Sequence, residues 1–148
     1  MEVHRLPQIS FPNRAWVCRL GHPLRVLRVL GGVLDLPKMK KLRFGLIGLG
    51  EIAYKSTGHI FQRAEKCEMV AGVDPVLDVA TSYEETFGIP CGTSLEDLLA
   101  RDDVDAVVVS TPHYLHAPLG IEAAQAGKHV IVEKPMATTL EDADALLE

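Results

Sequence analysis

The chain has 148 residues, of which 47% are hydrophobic and 24% charged, with a formal net charge of -5; this suits one domain with a core of its own and argues against two. The charge is uneven, because residues 1–38 hold five Arg and one Lys against Glu2 and Asp35, a balance of +4, so the rest carries -9. An acidic body argues against nucleic acid as a partner, since phosphate binding needs a basic surface, and Cys18, Cys67 and Cys91 form no C-x-x-C pair, which suggests neither a disulfide framework nor a zinc site and fits a reducing, cytoplasmic compartment.

Residues 1–38 contain four of the nine prolines, Pro7, Pro12, Pro23 and Pro37, and one apolar run from Leu24 to Leu34 that Arg25, Arg28, Gly31 and Gly32 interrupt. The run is too short and too charged to span a bilayer, which takes about 20 apolar residues, so no membrane partner is expected. A secretory signal would need an unbroken apolar stretch and a small-residue cleavage site, and a transit peptide more Ser and an amphipathic helix. Met39, followed by Lys40-Lys41-Leu42, resembles a natural start. The expectation is an N-terminal extension over 1–38, disordered or foreign to the fold, ahead of a domain over 39–148.

That domain opens with Arg43-Phe44-Gly45-Leu46-Ile47-Gly48-Leu49-Gly50-Glu51-Ile52-Ala53, which reads as a strand, a Gly-rich turn and the start of a helix. Gly48, Gly50 and Ala53 fit the dinucleotide fingerprint G-x-G-x-x-G/A. Its first Gly permits the tight turn, its second lets backbone approach a pyrophosphate, and its small third residue lets helix and strand pack closely. Backbone N–H groups and the positive end of the helix would meet the phosphates without any basic side chain. The helix is predicted over about 51–63, with Gly58 as an interior weakness and Ile52, His59 and Ile60 on its inner face.

The apolar run 68–73 is short and β-rich, as a buried parallel strand should be, and ends in Asp74. That acid lies 21 residues beyond Ala53, the distance expected of the carboxylate that hydrogen-bonds the adenosine ribose in an NAD site. An adjacent carboxylate would repel a 2′-phosphate, so NAD is preferred over NADP. A helix follows from Pro75 to about Phe87, stopped by Gly88 and Pro90. Residues 89–92 then make a brief strand, and Ser94 caps a short helix ending near Ala100. Residues 105–110 form a continuous apolar strand, read as central, which Thr111-Pro112 ends. A helix from about His116 to Ala126 tolerates Pro118 in its first turn and closes at Gly127. Residues 128–132 form the next strand, ending in Glu133-Lys134-Pro135-Met136, and Thr138 with Glu141 is read as the capping box of a last helix bearing Leu140, Ala143, Leu146 and Leu147 on one side.

Strands alternating with helices at this spacing imply a doubly wound parallel sheet, an α/β fold of Rossmann type, with ligands beyond the carboxyl ends of the strands. Gly48, Asp74, Thr111 and Glu133 each follow a strand and are expected on one rim. The Lys134–Pro135 peptide is expected to be cis, since a fixed bend would help place Lys134. His113 and His116 are three residues apart, but with no third ligand in view no metal site is assigned.

The glycine motif, Asp74, the run Ser110-Thr111-Pro112-His113-Tyr114-Leu115-His116 and the run Gly127 to Pro135 together closely resemble the Gfo/Idh/MocA oxidoreductases over residues 42–148. The resemblance implies an NAD(P)-dependent dehydrogenase or reductase of sugars, inositols or similar polyols, with an N-terminal Rossmann domain and a C-terminal α/β domain built on an open sheet. It implies cofactor contacts at Gly48, Gly50, Glu51, Ile52, Ala53, Asp74, Ser110, Thr111, Pro112, His116, Glu133, Lys134 and Pro135. It makes Lys134 the catalytic residue, at the nicotinamide end and touching the reacting hydroxyl. The family commonly has Asn where this chain has His113. The C-terminal domain, which in the family supplies most substrate contacts, a further acid/base and a surface for homo-oligomers, has no counterpart here, nor does a final Rossmann strand. The chain therefore reads as the front of a longer enzyme, binding dinucleotide without turnover of its own.

Overall fold

The computed structural model describes residues 40–148; the extension expected over 1–38 and Cys18 lie outside them. Five strands form one sheet, β1 (Leu42–Ile47), β2 (Cys67–Val73), β3 (Cys91–Gly92), β4 (Ala106–Val109) and β5 (His129–Val132). Their order is β3-β2-β1-β4-β5 and every pairing is parallel. The chain winds outward from β1 through β2 to β3, then returns to the other side of β1 for β4 and β5. The expected α/β fold is therefore present, with its direction reversing at the β1–β4 seam.

Helices cover both faces because the central strands are apolar on both. In β1 and β4 the side chains of Phe44, Leu46, Ala106 and Val108 point to one face, where Ala53, Ala80 and Tyr83 close over them. Ile47, Val107 and Val109 point to the other, against Leu98, Leu99 and Ala123. Each fully buried Val or Leu in these layers stabilises the fold by roughly 1.5–3 kcal/mol relative to exposure. The covering helices are α1 (Gly58–Arg63), α2 (Leu77–Phe87), α3 (Leu95–Leu99) and α4 (His116–Gln125), and α5 (Leu140–Leu147) packs on α4. Among the described residues no helix is long and apolar enough to cross a membrane.

Three expectations need correction. The inner face of the first helix is not Ile52, His59 and Ile60: Ile52 is 55% and Ile60 63% exposed, and the inward residues are Ala53, Thr57 and Gly58. Residues Ala53–Thr57 form a π-helical segment, whose wider turn rotates the following face. Gly58 is there for contact, since a methyl on it would lie 2.5 Å from Phe87 Cε1 and 2.6 Å from the Tyr83 hydroxyl oxygen. The helix expected from Pro75 begins at Leu77, because the Val76 N–H donates to Asp74 Oδ1 at 3.0 Å and keeps Val76 extended. The last helix is capped by Thr139 rather than Thr138: its backbone is still extended, and its hydroxyl accepts from the Asp142 N–H at 3.1 Å. The cap at Ser94 stands as expected, accepting from Asp97 N–H at 3.1 Å.

Opposite the rim, at the entry to β1, Arg43 grips Asp105. Its Nε donates to Oδ2 at 2.9 Å and its Nη2 to Oδ1 at 2.6 Å, while its backbone N–H donates to Oδ2 at 2.9 Å. This forked pair joins residues 62 apart in sequence across the β1–β4 seam.

Candidate dinucleotide site

The four expected rim residues stand together because each strand makes one last ladder bond past its end. The Gly48 N–H donates to the Val73 carbonyl at 2.9 Å, Asp74 to Gly92 at 3.1 Å, Ser110 to Ile47 at 2.8 Å and Glu133 to Val109 at 3.0 Å. Across the sheet this sets Asp74, Gly48, Thr111 and Glu133 in that order along one edge.

Gly48 has φ +89°, and a methyl on it would lie 2.7 Å from the Ser110 carbonyl oxygen and 2.7 Å from Thr111 Cγ2. Only a residue without Cβ lets β1 turn so close beneath the β4 loop. Gly50 differs: nothing lies within 4 Å of the place its Cβ would take. Its backbone faces open space, alongside a cavity of about 550 Å³ lined by Gly48, Gly50, Asp74, Ser110, Thr111 and Tyr114 among others. Glu51 and Ile52 are exposed at the start of the helix, and Ala53 is fully buried, with its carbonyl accepting from the Tyr83 hydroxyl at 3.4 Å.

Asp74 both borders the cavity and pins the turn. Its Oδ2 accepts from the Leu49 N–H at 3.0 Å, and its Oδ1 from Val76. A carboxylate has about four lone-pair sites, so each oxygen keeps capacity for a hydroxyl donor. Beyond β4, Ser110 Oγ and Thr111 Oγ1 are buried without a hydrogen-bond partner. Such orphans cost about 1–3 kcal/mol each, and both residues line the cavity. The set suits a dinucleotide: backbone N–H groups at a helix start for phosphates, a carboxylate for ribose hydroxyls, and two hydroxyls without partners.

At the far end of the rim the Lys134–Pro135 peptide is cis, as expected. Lys134 is exposed and takes part in none of the ion pairs among the described residues. Pro112 and His113 are exposed as well, whereas His116 is 1% exposed. The His116 ring lies between two loops, with Nε2 2.8 Å from the Thr111 carbonyl oxygen and Nδ1 2.7 Å from the Pro135 carbonyl oxygen. The His113 and His116 rings are 5.6 Å apart, and among the described residues no three His, Cys, Asp or Glu side chains are grouped to hold a metal.

The cavity also takes in Tyr114 and Leu115, from the run that follows β4, and Thr93 and Leu95, which belong to none of the motifs in the sequence. Thr93 follows β3 as Gly48 follows β1, and the rule that strand ends share a rim, applied to the brief strand read over 89–92, points to it.

Comparison with known proteins agrees with this geometry. A family model described as "Oxidoreductase family, NAD-binding Rossmann fold" matches residues 42–148. A glycosyl hydrolase family 109 protein of Shewanella pealeana is 36% identical over 121 residues, a match covering 74% of this chain and 26% of that protein. Among solved structures, the WlbA dehydrogenase from Bordetella pertussis, in complex with NADH and UDP-GlcNAcA, has a TM-score of 0.68 at 41% identity, covering 73% of this chain and 33% of that one. KijD10, a 3-ketoreductase from Actinomadura kijaniata in complex with NADP, has a TM-score of 0.70 at 36% identity, covering 73% and 34%. The match thus spans about a quarter of the curated relative's length and a third of the solved chains'.

Proposed function

This chain belongs to the Gfo/Idh/MocA oxidoreductases through an NAD-binding Rossmann domain at residues 42–148, and we propose that it is the cofactor half of an enzyme passing hydride between nicotinamide and a secondary alcohol or ketone of a sugar, inositol or similar polyol. The observation that carries this reading is the contrast at the turn, where Gly48 is packed against Ser110 and Gly50 is open, beside the two orphaned hydroxyls of Ser110 and Thr111. When bound, the dinucleotide supplies the hydride donor or acceptor.

The chain's own residues bind and orient. The backbone of the turn, from Gly48 through Glu51 and Ile52 to Ala53, takes the pyrophosphate, and Asp74 accepts from the adenosine ribose. Ser110, Thr111 and Pro112 border the cofactor along the β4 loop, with His116 on the cofactor side behind them at the start of α4 and Glu133 and Pro135 framing Lys134. The Lys134 ammonium donates a hydrogen bond from Nζ to the substrate oxygen and polarises it, an effect strengthened where water is excluded. NAD is favoured over NADP, because Asp74 is followed by Pro75, Val76, Leu77 and Asp78, none of which carries a cation for a 2′-phosphate. By this reading the 148 residues bind dinucleotide and do not turn over substrate unaided, and the compartment is cytoplasmic.

Calorimetric titration tests the reading. NAD is expected to bind and NADP to bind more weakly, with Asp74→Ala narrowing the gap; a chain that takes up neither dinucleotide sinks it. Turnover of a sugar or polyol by the 148 residues would overturn the incomplete-site part alone. A nucleotide-linked sugar belongs in the substrate screen, given the UDP-GlcNAcA bound by WlbA. The glycosyl hydrolase name of the Shewanella relative favours a second reading, net glycoside hydrolysis, a reaction some NAD-dependent enzymes perform. Sugar release with no net change in NADH absorbance by an enzyme containing this domain would select it.

A further inference from the structure

His116 is the first residue of α4 and is almost fully buried. Here both ring nitrogens face backbone carbonyls, Thr111 at 2.8 Å and Pro135 at 2.7 Å. Carbonyl oxygens only accept, so each ring nitrogen that carries a proton donates to the carbonyl it faces, and the ring stands in reach of both. The two carbonyls belong to different parts of the site. Thr111 ends the β4 loop, beside Gly48 and the cavity. Pro135 directly follows Lys134 and forms the cis peptide with it. The two loops are 19 and 5 residues from His116 in sequence, and the ring is the side chain that ties both. Lys134 itself is exposed and outside every ion pair among the described residues.

We propose that His116 is the positioning residue for Lys134: by binding the Thr111 and Pro135 carbonyls together it couples the cofactor-lining loop to the lysine loop and so fixes where the Lys134 ammonium stands at the nicotinamide end. The inference rests on the reading of the site given above. It assigns His116 no contact with substrate; the ring acts on the loops. Its signature is therefore confined to one end of the ligand. By that reading Asp74 and Gly48 would hold the adenosine and pyrophosphate parts, and the Lys134 loop would meet the nicotinamide part.

The test uses two ligands, NADH and ADP-ribose, which share everything except the nicotinamide ring, on the whole 148-residue chain. His116→Phe keeps an aromatic ring without either hydrogen bond. It is expected to weaken NADH about tenfold while changing ADP-ribose by less than about twofold. His116→Gln, which can keep one bond, is expected to fall between. Acetylation of Lys134 followed by mass spectrometry is the second readout. In the parent chain NADH is expected to protect Lys134 more than ADP-ribose does, and His116→Gln is expected to erase that difference. Equal losses for both ligands would mark a general structural role and overturn the inference, as would unchanged NADH binding. Equal protection of Lys134 by both ligands in the parent chain would overturn the placement of Lys134 at the nicotinamide end, and the inference with it. A parent chain that binds neither ligand defeats the functional reading instead, so the two failures are distinguishable.

Discussion

Gly48 and Ser110 meet so closely that a methyl on Gly48 would lie 2.7 Å from the Ser110 carbonyl oxygen and 2.9 Å from its carbonyl carbon. Both obstructing atoms are backbone, which cannot swing aside. Gly48→Ala is expected to destabilise the fold by about 1–3 kcal/mol from the left-handed conformation alone, with a comparable overpacking cost added. Gly50→Ala has no such neighbour, so its thermal midpoint should stay near the parent's, within about 0.5 kcal/mol. The new methyl would nonetheless stand in the space proposed for the pyrophosphate, and NAD affinity is expected to fall about tenfold or more. Thermal unfolding and calorimetry on the two variants separate these effects.

Gly58→Ala sets two effects against each other. Alanine gains about 1 kcal/mol in helix propensity over glycine. The methyl, however, would strike Phe87 and the hydroxyl of Tyr83, whose side chain is fully buried and has no room to withdraw. Overpacking of that kind costs about 1–3 kcal/mol. Net destabilisation is the expected result in denaturant unfolding; a stabilised variant would contradict the packing described for α1.

The sequence exposed the site better than it exposed the packing. Asp74, Thr111 and Lys134 follow strand ends, and a parallel sheet brings strand ends to one edge whatever its details, so their meeting was legible from spacing. Pro135 announced its cis bond through its place after Lys134. Gly58 reads as a weakness in helix propensity, while its contact with Phe87 and Tyr83 stays hidden because only the tertiary fold brings those residues near. The π-helical turn, which displaces Ile60 outward, leaves no mark on a 3.6-residue pattern. The resemblance puts His116 in a cofactor-side or structural position; the two carbonyls its ring faces are main-chain groups and so have no residue type to betray them. Thr139 took the cap from Thr138 because adjacent threonines compete, and the backbone conformation at the helix threshold decides.

The forked hydrogen bond from Arg43 holds the Asp105 carboxyl well below the usual carboxylate range, and desolvation opposes it only in part. A group whose folded value is depressed adds stability above its unfolded value, about 3.9, and loses that contribution as pH falls through the folded one. Asp105→Asn is therefore expected to lower the thermal midpoint near neutral pH. The gap from the parent should hold down to about pH 4 and narrow on further acidification. A gap that widened with acid would contradict the pairing. High salt should weaken the effect only modestly, because the guanidinium side chain is 19% exposed.

Burial, with Glu84 adding to it, pushes the Cys91 thiol up to about 11. Since thiolate is the nucleophile and each unit is a factor of ten, only about one molecule in a thousand is ionised at pH 8. Iodoacetamide is expected to leave the Cys91 peptide largely unmodified in the folded chain and to label it fully after denaturation, as peptide mass spectrometry would record. Rapid labelling under native conditions would mean that the β2–β3 edge opens far more readily than its packing allows.

The reversal of strand order at β1 also ties ligand binding to the history of the chain's collapse. β1 finds β2 across a short crossover, but it finds β4 only across the long excursion through β2, α2, β3 and α3, a closure of 62 residues as measured between Arg43 and Asp105. Loop-closure entropy makes such distant pairing the more costly step. Gly48 arrives with the first pairing and Ser110 with the second, so the pocket between them exists only once the seam is shut. A ligand seated there is a witness that the most demanding step of assembly has been completed.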